Sequence, residues 1–454
     1  MSEVIEWVAG NKLVAGTALL CAAVMGGVAF KKQQRERKME IDTNKLQPGL
    51  EAVKKAFEAN YREGREVGSQ LACYVNGELV VDLNGGCDKE HKLEADSFTV
   101  IFSCTKVIES LAMAMLADRG KLDYDAPITK YWPSLDNKAT VADLMRHQAG
   151  LSTLNPAPTK AEGLKIFSDH DKAREFLEAN KPEYVTEQPP KRQIYHAVTR
   201  GMYANELVRR VDGRSIDEFV AEEIVNKDDK IDFSIGCPSE WQSRVSTHYP
   251  TQSRRFVVLR YLLYSYLPRS LLSLFFGPMD ALQPFDREVI KGMTTKGSPA
   301  SRVLALFSDV PASLYEICNN PEVRALPLSS AAGVSNARSV GRILRNLLEG
   351  DYLSPEGLKS ALGFDAERHA VLKDEFMCRK MKLSNCGWGL DRFEIFGAPG
   401  WVGWGGAGGS VLVFNPELKA VMAYCVNGLD SQQHKARGVR LLTTFHEALT
   451  SRKA

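Results

Sequence analysis

The stretch that decides the fold is Phe102-Ser103-Cys104-Thr105-Lys106 together with the run that follows it, VIESLAMAMLADRG, residues 107–120. The run is rich in strong helix formers, is apolar on almost every side, and ends in a glycine suited to the position after a helix. A helix that is apolar all round is normally buried, so we expect this one at the centre of the core. Ser103 and Lys106 lie three positions apart at its start, which places both side chains on one face.

A hydroxyl and an amine at the start of a buried helix suit nucleophilic catalysis. A serine needs a proton acceptor, and a lysine in a dry pocket can serve because burial disfavours its charged form. The helix N-terminus adds partial positive charge where an oxyanion would develop. Taken alone, Ser-x-x-Lys also fits an exposed serine beside a solvated lysine. Its place after the strand-like segment 98–101, and its single occurrence in the sequence, favour catalysis.

Composition bounds the function. The chain has 454 residues, of which 44% are hydrophobic and 25% charged, as in ordinary globular proteins. A net charge of +2 gives no reason to expect a nucleic-acid partner. Nine scattered cysteines without Cys-x-x-Cys spacing indicate reduced thiols, with neither a disulfide framework nor a zinc site. We therefore predict no metal and no cofactor, and the oligomeric state stays open.

The N-terminus predicts a membrane anchor. Leu13–Phe30 is an uncharged apolar run of 18 residues, at the lower limit for a spanning helix, and residues 31–38 are strongly basic. Because positive flanks stay in the cytosol, we expect residues 1–38 to form a single-pass anchor and basic flank, with the bulk of the protein facing the cytosol. The outer mitochondrial membrane and the endoplasmic reticulum are the expected membranes. A cleaved leader is the alternative.

The remaining chain predicts an α/β (α+β) fold. Asn76-Gly77 between alternating segments at 69–75 and 78–83 indicates a β-hairpin. The segments 411–414 and 420–426 again have the pattern of β-strands, and a final helix is expected at about 431–450. We expect an antiparallel sheet built from both ends of the chain and flanked by helices, with an all-helical insert. The predicted catalytic domain is 39–454, with its sheet part at about 45–120 and 325–454 and its insert at about 121–324.

The segment 254–276 leaves two interpretations open. It is rich in leucine and aromatic residues but interrupted by Arg260, Pro268 and Arg269, which makes it a poor spanning helix. It can form a pair of core helices that cover the site. Alternatively, Phe256–Phe276 lies in the lipid interface as a second membrane contact.

Three motifs carry a resemblance to a known family. Ser103-x-x-Lys106, Tyr195-His196-Ala197 and Trp404-Gly405-Gly406 occur in this order over most of the chain. In order and spacing they resemble the serine β-lactamase-related family, which includes class C β-lactamases, penicillin-binding D-alanyl-D-alanine peptidases and family VIII carboxylesterases. The resemblance extends from about residue 45 to the end and implies a β-lactamase/transpeptidase-like fold.

The resemblance also implies roles for individual residues. Ser103 would be the acylated nucleophile, and Lys106 its proton acceptor together with Tyr195. The backbone N–H groups of Ser103 and Ala407 would form the oxyanion hole. Substrate would lie along Trp404-Gly405-Gly406, where the glycines permit a close approach.

Departures from the family pattern indicate the substrate. Ala197 stands where class C β-lactamases carry Asn, and Trp404 stands where they carry a lysine that attracts a substrate carboxylate. Both changes favour a neutral ester, or a small peptide amide, over a charged β-lactam. We therefore predict an esterase-like serine hydrolase of small molecules. The alternatives are a catalytically idle, membrane-tethered scaffold and a true β-lactamase or D-Ala-D-Ala-type peptidase.

Other reactive residues near the motifs are predicted to be structural. Lys106 and Tyr195 make a Ser-His mechanism through His196 redundant. His147, near the end of a short helix, suits the negative end of that helix's dipole. Cys104 is expected to point away from the face that Ser103 and Lys106 share, as a small buried apolar residue.

Overall fold

The computed structural model describes residues 39–251, 292, 295, 297–310, 314–366, 371–390, 394–429 and 437–451. The strands are β1 (Glu40–Leu46), β2 (Gly68–Val75), β3 (Glu78–Gly86), β4 (Thr99–Val100), β5 (Phe233–Ile235), β6 (Tyr249–Pro250), β7 (Gly333–Ser335), β8 (Val402–Gly405), β9 (Val411–Asn415), β10 (Ala420–Val426) and β11 (Gly428–Leu429). The helices are α1 (Glu51–Arg62), α2 (Thr105–Asp118), α3 (Val141–Met145), α4 (Lys160–Phe167), α5 (His170–Ala179), α6 (Thr199–Asp212), α7 (Ile216–Glu223), α8 (Pro299–Arg302), α9 (Leu314–Asn319), α10 (Pro321–Arg324), α11 (Ala337–Glu349), α12 (Pro355–Leu362) and α13 (Arg437–Thr450).

The main sheet joins the two ends of the described chain. Its strand order is β1-β3-β2-β10-β9-β8, and every neighbouring pair is antiparallel. Strands β2 and β3 form the predicted hairpin, in which Asn76 and Gly77 both adopt positive φ, as a two-residue type I′ turn requires. The β2–β10 pairing then links this hairpin to the C-terminal strands. The prediction of one antiparallel sheet made from both ends of the chain is confirmed.

Each face of this sheet carries its own helices. Alternate residues of β2 belong to separate buried clusters, Leu71 and Cys73 to one and Ala72 and Tyr74 to the other, because successive strand side chains point to opposite faces. Helices α1 and α13 pack together beside the first cluster, whereas α11 packs on β2 and β10 on the opposite face. The result is a sheet covered on both sides.

The apolar helix identified from the sequence is α2, and it lies inside the larger cluster. All of its residues from Thr105 to Leu116 are buried, as a helix without a polar face requires. A 3₁₀ turn at Phe102–Cys104 precedes it and places Ser103 between β4 and the helix.

The predicted insert is mainly helical where it is described, with α3 to α7 in sequence, and it also contributes the short strands β5 and β6. Strand β5 pairs with β7, which also pairs with β4, so a small three-stranded sheet connects the insert to the strand before Ser103. Strands of two or three residues are too short to show alternation in the sequence. The domain boundaries stay a prediction.

The sequence predicted a single-pass anchor in a mitochondrial or endoplasmic reticulum membrane. This prediction is wrong, because the structure contains no described helix that fits it. Among the described residues, no helix combines the length and apolarity needed to cross a bilayer. The longest described helices have 14 residues, which gives about 21 Å against a hydrocarbon core of about 30 Å. The predicted membrane contacts rest on two apolar runs, Leu13–Phe30 and Phe256–Phe276. Both runs lie outside the described residues.

Candidate active site

The turn that carries Ser103 is held by backbone and side-chain bonds. Phe102 adopts a φ of +47°, which is unusual for a bulky residue. Its carbonyl accepts a 2.5 Å hydrogen bond from Thr105 Oγ1, which in turn accepts the Gly333 N–H at 2.9 Å. Ser103 is half-buried, whereas the residues on either side of it are buried. The turn therefore leaves Ser103 partly exposed between buried neighbours.

Tyr195 is the direct partner of Ser103. Its phenol donates a hydrogen bond to Ser103 Oγ at 2.8 Å. The Tyr195 ring stacks on Trp404 and on Phe376, with ring centroids 5.8 and 5.9 Å apart, and His147 contacts it edge-on at 4.8 Å. Such aromatic contacts restrict the ring and so orient the phenol.

Phe376 was not identified from the sequence. It sits in a turn where Asp374 Oδ1 accepts the N–H groups of Phe376 and Met377 at 3.0 and 2.7 Å. The carboxyl of Asp374 is buried, and burial raises its pKa to about 7. The only sequence signal was an Asp placed two residues before an aromatic residue, which is typical of a turn rather than of a site.

Lys106 is buried close to the Tyr195 ring. Its Nζ donates to the carbonyls of Ala197 at 2.5 Å and Ser330 at 2.9 Å, and it lies 5.0 Å from the Tyr195 ring centroid. Among the described residues, Lys106 Nζ thus donates its hydrogen bonds to two backbone carbonyls and makes none to Ser103 Oγ. The Ala197 contact uses the backbone, so the family's Asn side chain is not needed for it.

Burial lowers the pKa of the Lys106 amine well below its usual value, and the charge on Arg200 lowers it further, while Glu109 acts in the opposite direction. Arg200 and Glu109 form a fully buried ion pair at 2.8 Å. Arg200 also donates to the Lys106 carbonyl at 3.0 Å, and Ser330 Oγ donates to Glu109 Oε2 at 2.6 Å. This pair thus holds the backbone around the lysine, and no motif in the sequence indicates it.

The pKa of Lys106 predicts a pH dependence of stability. The unfolded chain holds the lysine proton up to a pH of about 10.5, whereas the folded protein releases it at lower pH. Between these values the free energy of unfolding therefore gains about 1.4 kcal/mol per pH unit from this group. Urea unfolding as the pH rises towards about 10.5 should show this slope as a difference between the wild type and Lys106→Met. Parallel curves for the two proteins would contradict a lowered pKa.

The third motif lies against the Ser103 turn. Trp404 and Gly405 end β8, and a Cβ added to Gly406 would lie 2.4 Å from the Ile101 carbonyl oxygen. Only glycine permits this approach. Ala407 follows as a half-buried residue. The backbone expected to supply the second oxyanion donor therefore continues from Gly406, which lies against the turn that carries Ser103.

Gly406→Ala should therefore reduce catalysis. The added methyl group must displace either the end of β8 or the Ile101 carbonyl, and a shift of about 1 Å in a reacting group can cost about 10²-fold in rate. We expect kcat for p-nitrophenyl acetate to fall by about 10-fold or more, with overpacking costing about 1–3 kcal/mol of stability. Steady-state kinetics with thermal unfolding measures both. An unchanged kcat would show that the close approach does not matter for catalysis.

The histidines near the site bond to the backbone, in agreement with a structural role. His196 Nδ1 donates to the Ile194 carbonyl at 2.6 Å, and its Nε2 accepts the Leu151 N–H at 3.1 Å. Burial lowers the pKa of His196 to about 3, which keeps the ring neutral. His147 Nδ1 accepts the His196 N–H at 3.2 Å. Both nitrogens of His196 are thus used by the fold, and Cys104 is buried as expected.

Comparison with known proteins identifies chains similar to this one. The family model described as Beta-lactamase matches residues 53–444. The curated esterase/beta-lactamase LipL of Mycobacterium tuberculosis (strain ATCC 25618 / H37Rv) is 36% identical over 198 residues, which cover 42% of this chain and 44% of LipL. The match thus spans less than half the length of that relative.

Two solved structures are similar over their whole length. A penicillin-binding protein homologue from Caulobacter crescentus has a TM-score of 0.70 and 25% identity, covering 90% of this chain and 100% of its own. A family VIII carboxylesterase has a TM-score of 0.69 and 26% identity, with the same coverage.

Proposed function

This chain belongs to the beta-lactamase family of serine hydrolases, and on that premise we propose that it hydrolyses neutral carboxylic esters through an acyl-enzyme on Ser103. The observation that carries the proposal is the 2.8 Å hydrogen bond between Tyr195 Oη and Ser103 Oγ above a buried lysine of lowered pKa. A nucleophile, a neutral base and an orienting phenol are the parts that acyl transfer needs.

The proposed proton path uses both partners of the serine. A neutral Lys106 amine donates its two N–H groups to the carbonyls of Ala197 and Ser330, which leaves its lone pair to accept a proton. Ser103 Oγ attacks the ester carbonyl carbon as its proton passes towards Lys106, directly or through Tyr195. The oxyanion accepts hydrogen bonds from the N–H groups of Ser103 and Ala407.

The second half of the proposed cycle reverses these transfers. The tetrahedral intermediate expels the alcohol, which takes a proton from the Lys106–Tyr195 pair. Water then attacks the acyl group, the pair accepts a proton from that water, and the carboxylic acid leaves as Ser103 Oγ regains its hydrogen. No cofactor takes part in the proposed steps.

The substrate class follows from the third motif. Trp404 places a buried aromatic ring against Tyr195 where the family resemblance expects a lysine. A neutral ring offers no attraction to the carboxylate of a β-lactam, whereas it packs well against apolar acyl or alcohol groups. The relative named esterase/beta-lactamase and the structurally similar carboxylesterase support an ester as the substrate class. The neighbouring penicillin-binding protein homologue keeps a peptide-like amide as the second candidate.

A substrate comparison tests the proposal. We expect p-nitrophenyl butyrate to be turned over, nitrocefin and a D-Ala-D-Ala peptide to be turned over far more slowly, and a fluorophosphonate to label the protein. Nitrocefin or peptide turnover faster than ester turnover would favour a β-lactamase or peptidase instead. A protein that neither turns over an ester nor reacts with the fluorophosphonate would support a catalytically idle assembly module.

A further inference from the structure

We propose that Arg437, paired with Glu66, is a positioning residue that holds the Ala407 N–H in place for the oxyanion. This inference deepens the proposed function and rests on it. Arg437 lies at the start of α13 and is distant in sequence from every motif of the site. Its guanidinium, however, bonds to the loop that contains Ala407.

The guanidinium of Arg437 joins three parts of the chain. Nη1 pairs with Glu66 Oε1 at 2.5 Å, and Nη2 donates to the carbonyl oxygens of Gly408 and Gly428, the latter at 2.8 Å. The side chains of Arg437 and Glu66 are 2% and 0% exposed. Tyr424 Oη also donates to Glu66. A planar fork can reach several acceptors in fixed directions, which the single ammonium of a lysine cannot do.

The loop between β8 and β9 is shaped around this guanidinium. The Gly406 N–H donates to the Ser410 carbonyl at 2.8 Å, which closes the loop at its base. Gly408 and Gly409 adopt φ values of +86° and +121°, where glycine is favoured. A Cβ added to Gly409 would lie 2.5 Å from Arg437 Nη2. The guanidinium thus occupies the space that a side chain at 409 would need.

Ala407 lies between two residues of this loop, Gly406 and Gly408, whose backbone is fixed by hydrogen bonds. Gly406 on one side is bonded to Ser410 and pressed against Ile101, and the Gly408 carbonyl on the other side is bonded to Arg437. The direction of the Ala407 N–H therefore depends on both anchors. An oxyanion donor acts only when its direction is set before the charge develops, and Arg437 supplies one of the two constraints.

A structural role of Arg437 has to be separated from a positioning role. Breaking a buried ion pair is destabilising, yet such a pair as a whole is weak evidence for stability. On the same helix, Arg440 links α13 to α1 by donating to Glu63 at 2.8 Å and Asn60 at 3.2 Å, without any described contact to the oxyanion loop. Arg440 therefore provides a control for the docking of α13 on α1.

The test compares Arg437→Lys with Arg440→Lys in the full-length protein. The lysine at 437 keeps the charge opposite Glu66 but cannot reach Glu66 and both glycine carbonyls at once. We expect Arg437→Lys to lower kcat for p-nitrophenyl butyrate by about 10-fold, part of the roughly 10²-fold or more that loss of an oxyanion donor costs, with KM changed less than about twofold. Affinity for an aryl trifluoromethyl ketone, which forms an oxyanion on Ser103, should fall by the same factor. Arg440→Lys should leave both values unchanged.

Each outcome decides the inference. A folded Arg437→Lys protein with unchanged kcat and ketone affinity overturns it, as does an equal loss in Arg440→Lys. If Arg437→Lys does not fold, Glu66→Gln is used, because it keeps the shape of the pair and removes the charge that holds the guanidinium. A reduced ketone affinity in Glu66→Gln then supports the inference, and an unchanged affinity overturns it. Failure of the proposed function is distinct, since the wild type itself would not hydrolyse the ester.

Discussion

Replacing Ser103 by alanine is expected to lower kcat for p-nitrophenyl butyrate by about 10⁴-fold or more. Ser103 Oγ is the half-buried hydroxyl that receives the Tyr195 hydrogen bond, and without it no covalent intermediate can form at this position. Removal of a serine nucleophile typically leaves only the small acceleration due to binding and the oxyanion donors. Stopped assays at high enzyme concentration, with the thermal unfolding temperature measured in parallel, provide the test.

The control for this variant is Ser168→Ala. Ser168 is exposed and follows α4 at the surface, so its loss should leave kcat within about twofold. Unfolding temperatures should be similar for both variants, because Ser103→Ala removes one hydrogen bond worth about 1 kcal/mol. Ester turnover by Ser103→Ala within about tenfold of the wild type would exclude Ser103 as the nucleophile.

Replacing Lys106 by methionine is expected to lower kcat by about 10²-fold or more. Methionine fills a similar volume but can neither accept a proton nor donate to the carbonyls of Ala197 and Ser330. General-base catalysis typically contributes 10²–10⁴-fold, and burial lowers the pKa of this amine well below its usual value, which favours the neutral form that can accept a proton. The rate should be measured across pH, because loss of the base removes the acidic limb of the kcat profile.

Two further variants separate base catalysis from packing. Lys106→Arg keeps a donor near the carbonyls but is permanently charged, so it should be as inactive as Lys106→Met. Lys165→Met changes an exposed lysine of α4 and should behave as the wild type. Substantial activity in Lys106→Arg would contradict the role of a neutral amine as the proton acceptor.

The sheet and the central helix could be predicted from the sequence because their signals are local. Asn76-Gly77 between alternating segments specifies a hairpin by itself, and the apolar run after Ser103 specifies burial by itself. The pairing of β4, β5 and β7 involves two or three residues per strand, which carry no periodicity. The membrane prediction relied on the apolar run 13–30 and its basic flank, which lie outside the described residues. It is contradicted because no described helix is long and apolar enough to cross a bilayer, and α2, the most apolar of the longest ones, is buried in protein.

The site could be predicted as far as its motifs extend. Ser103, Lys106, Tyr195 and Trp404 were identified by order and spacing, and the structure brings Tyr195 into contact with Ser103 and with Trp404. Their roles in catalysis remain predictions, which the variants of Ser103 and Lys106 test.

The supporting residues Glu109, Arg200, Phe376 and Arg437 were missed. Their contacts join segments far apart in sequence, such as Arg200 with Glu109 and Arg437 with Gly408, and nothing local to any of them predicts such a partner.

Mapping the site of covalent modification tests the central claim most directly. The wild type would be treated with a fluorophosphonate, digested and analysed by mass spectrometry, with Ser103→Ala treated in the same way. We predict one phosphonyl group, attached with loss of fluoride to the peptide that contains Ser103, and no adduct in Ser103→Ala. An adduct on another residue, or an unmodified Ser103 in a protein that hydrolyses esters, would contradict it.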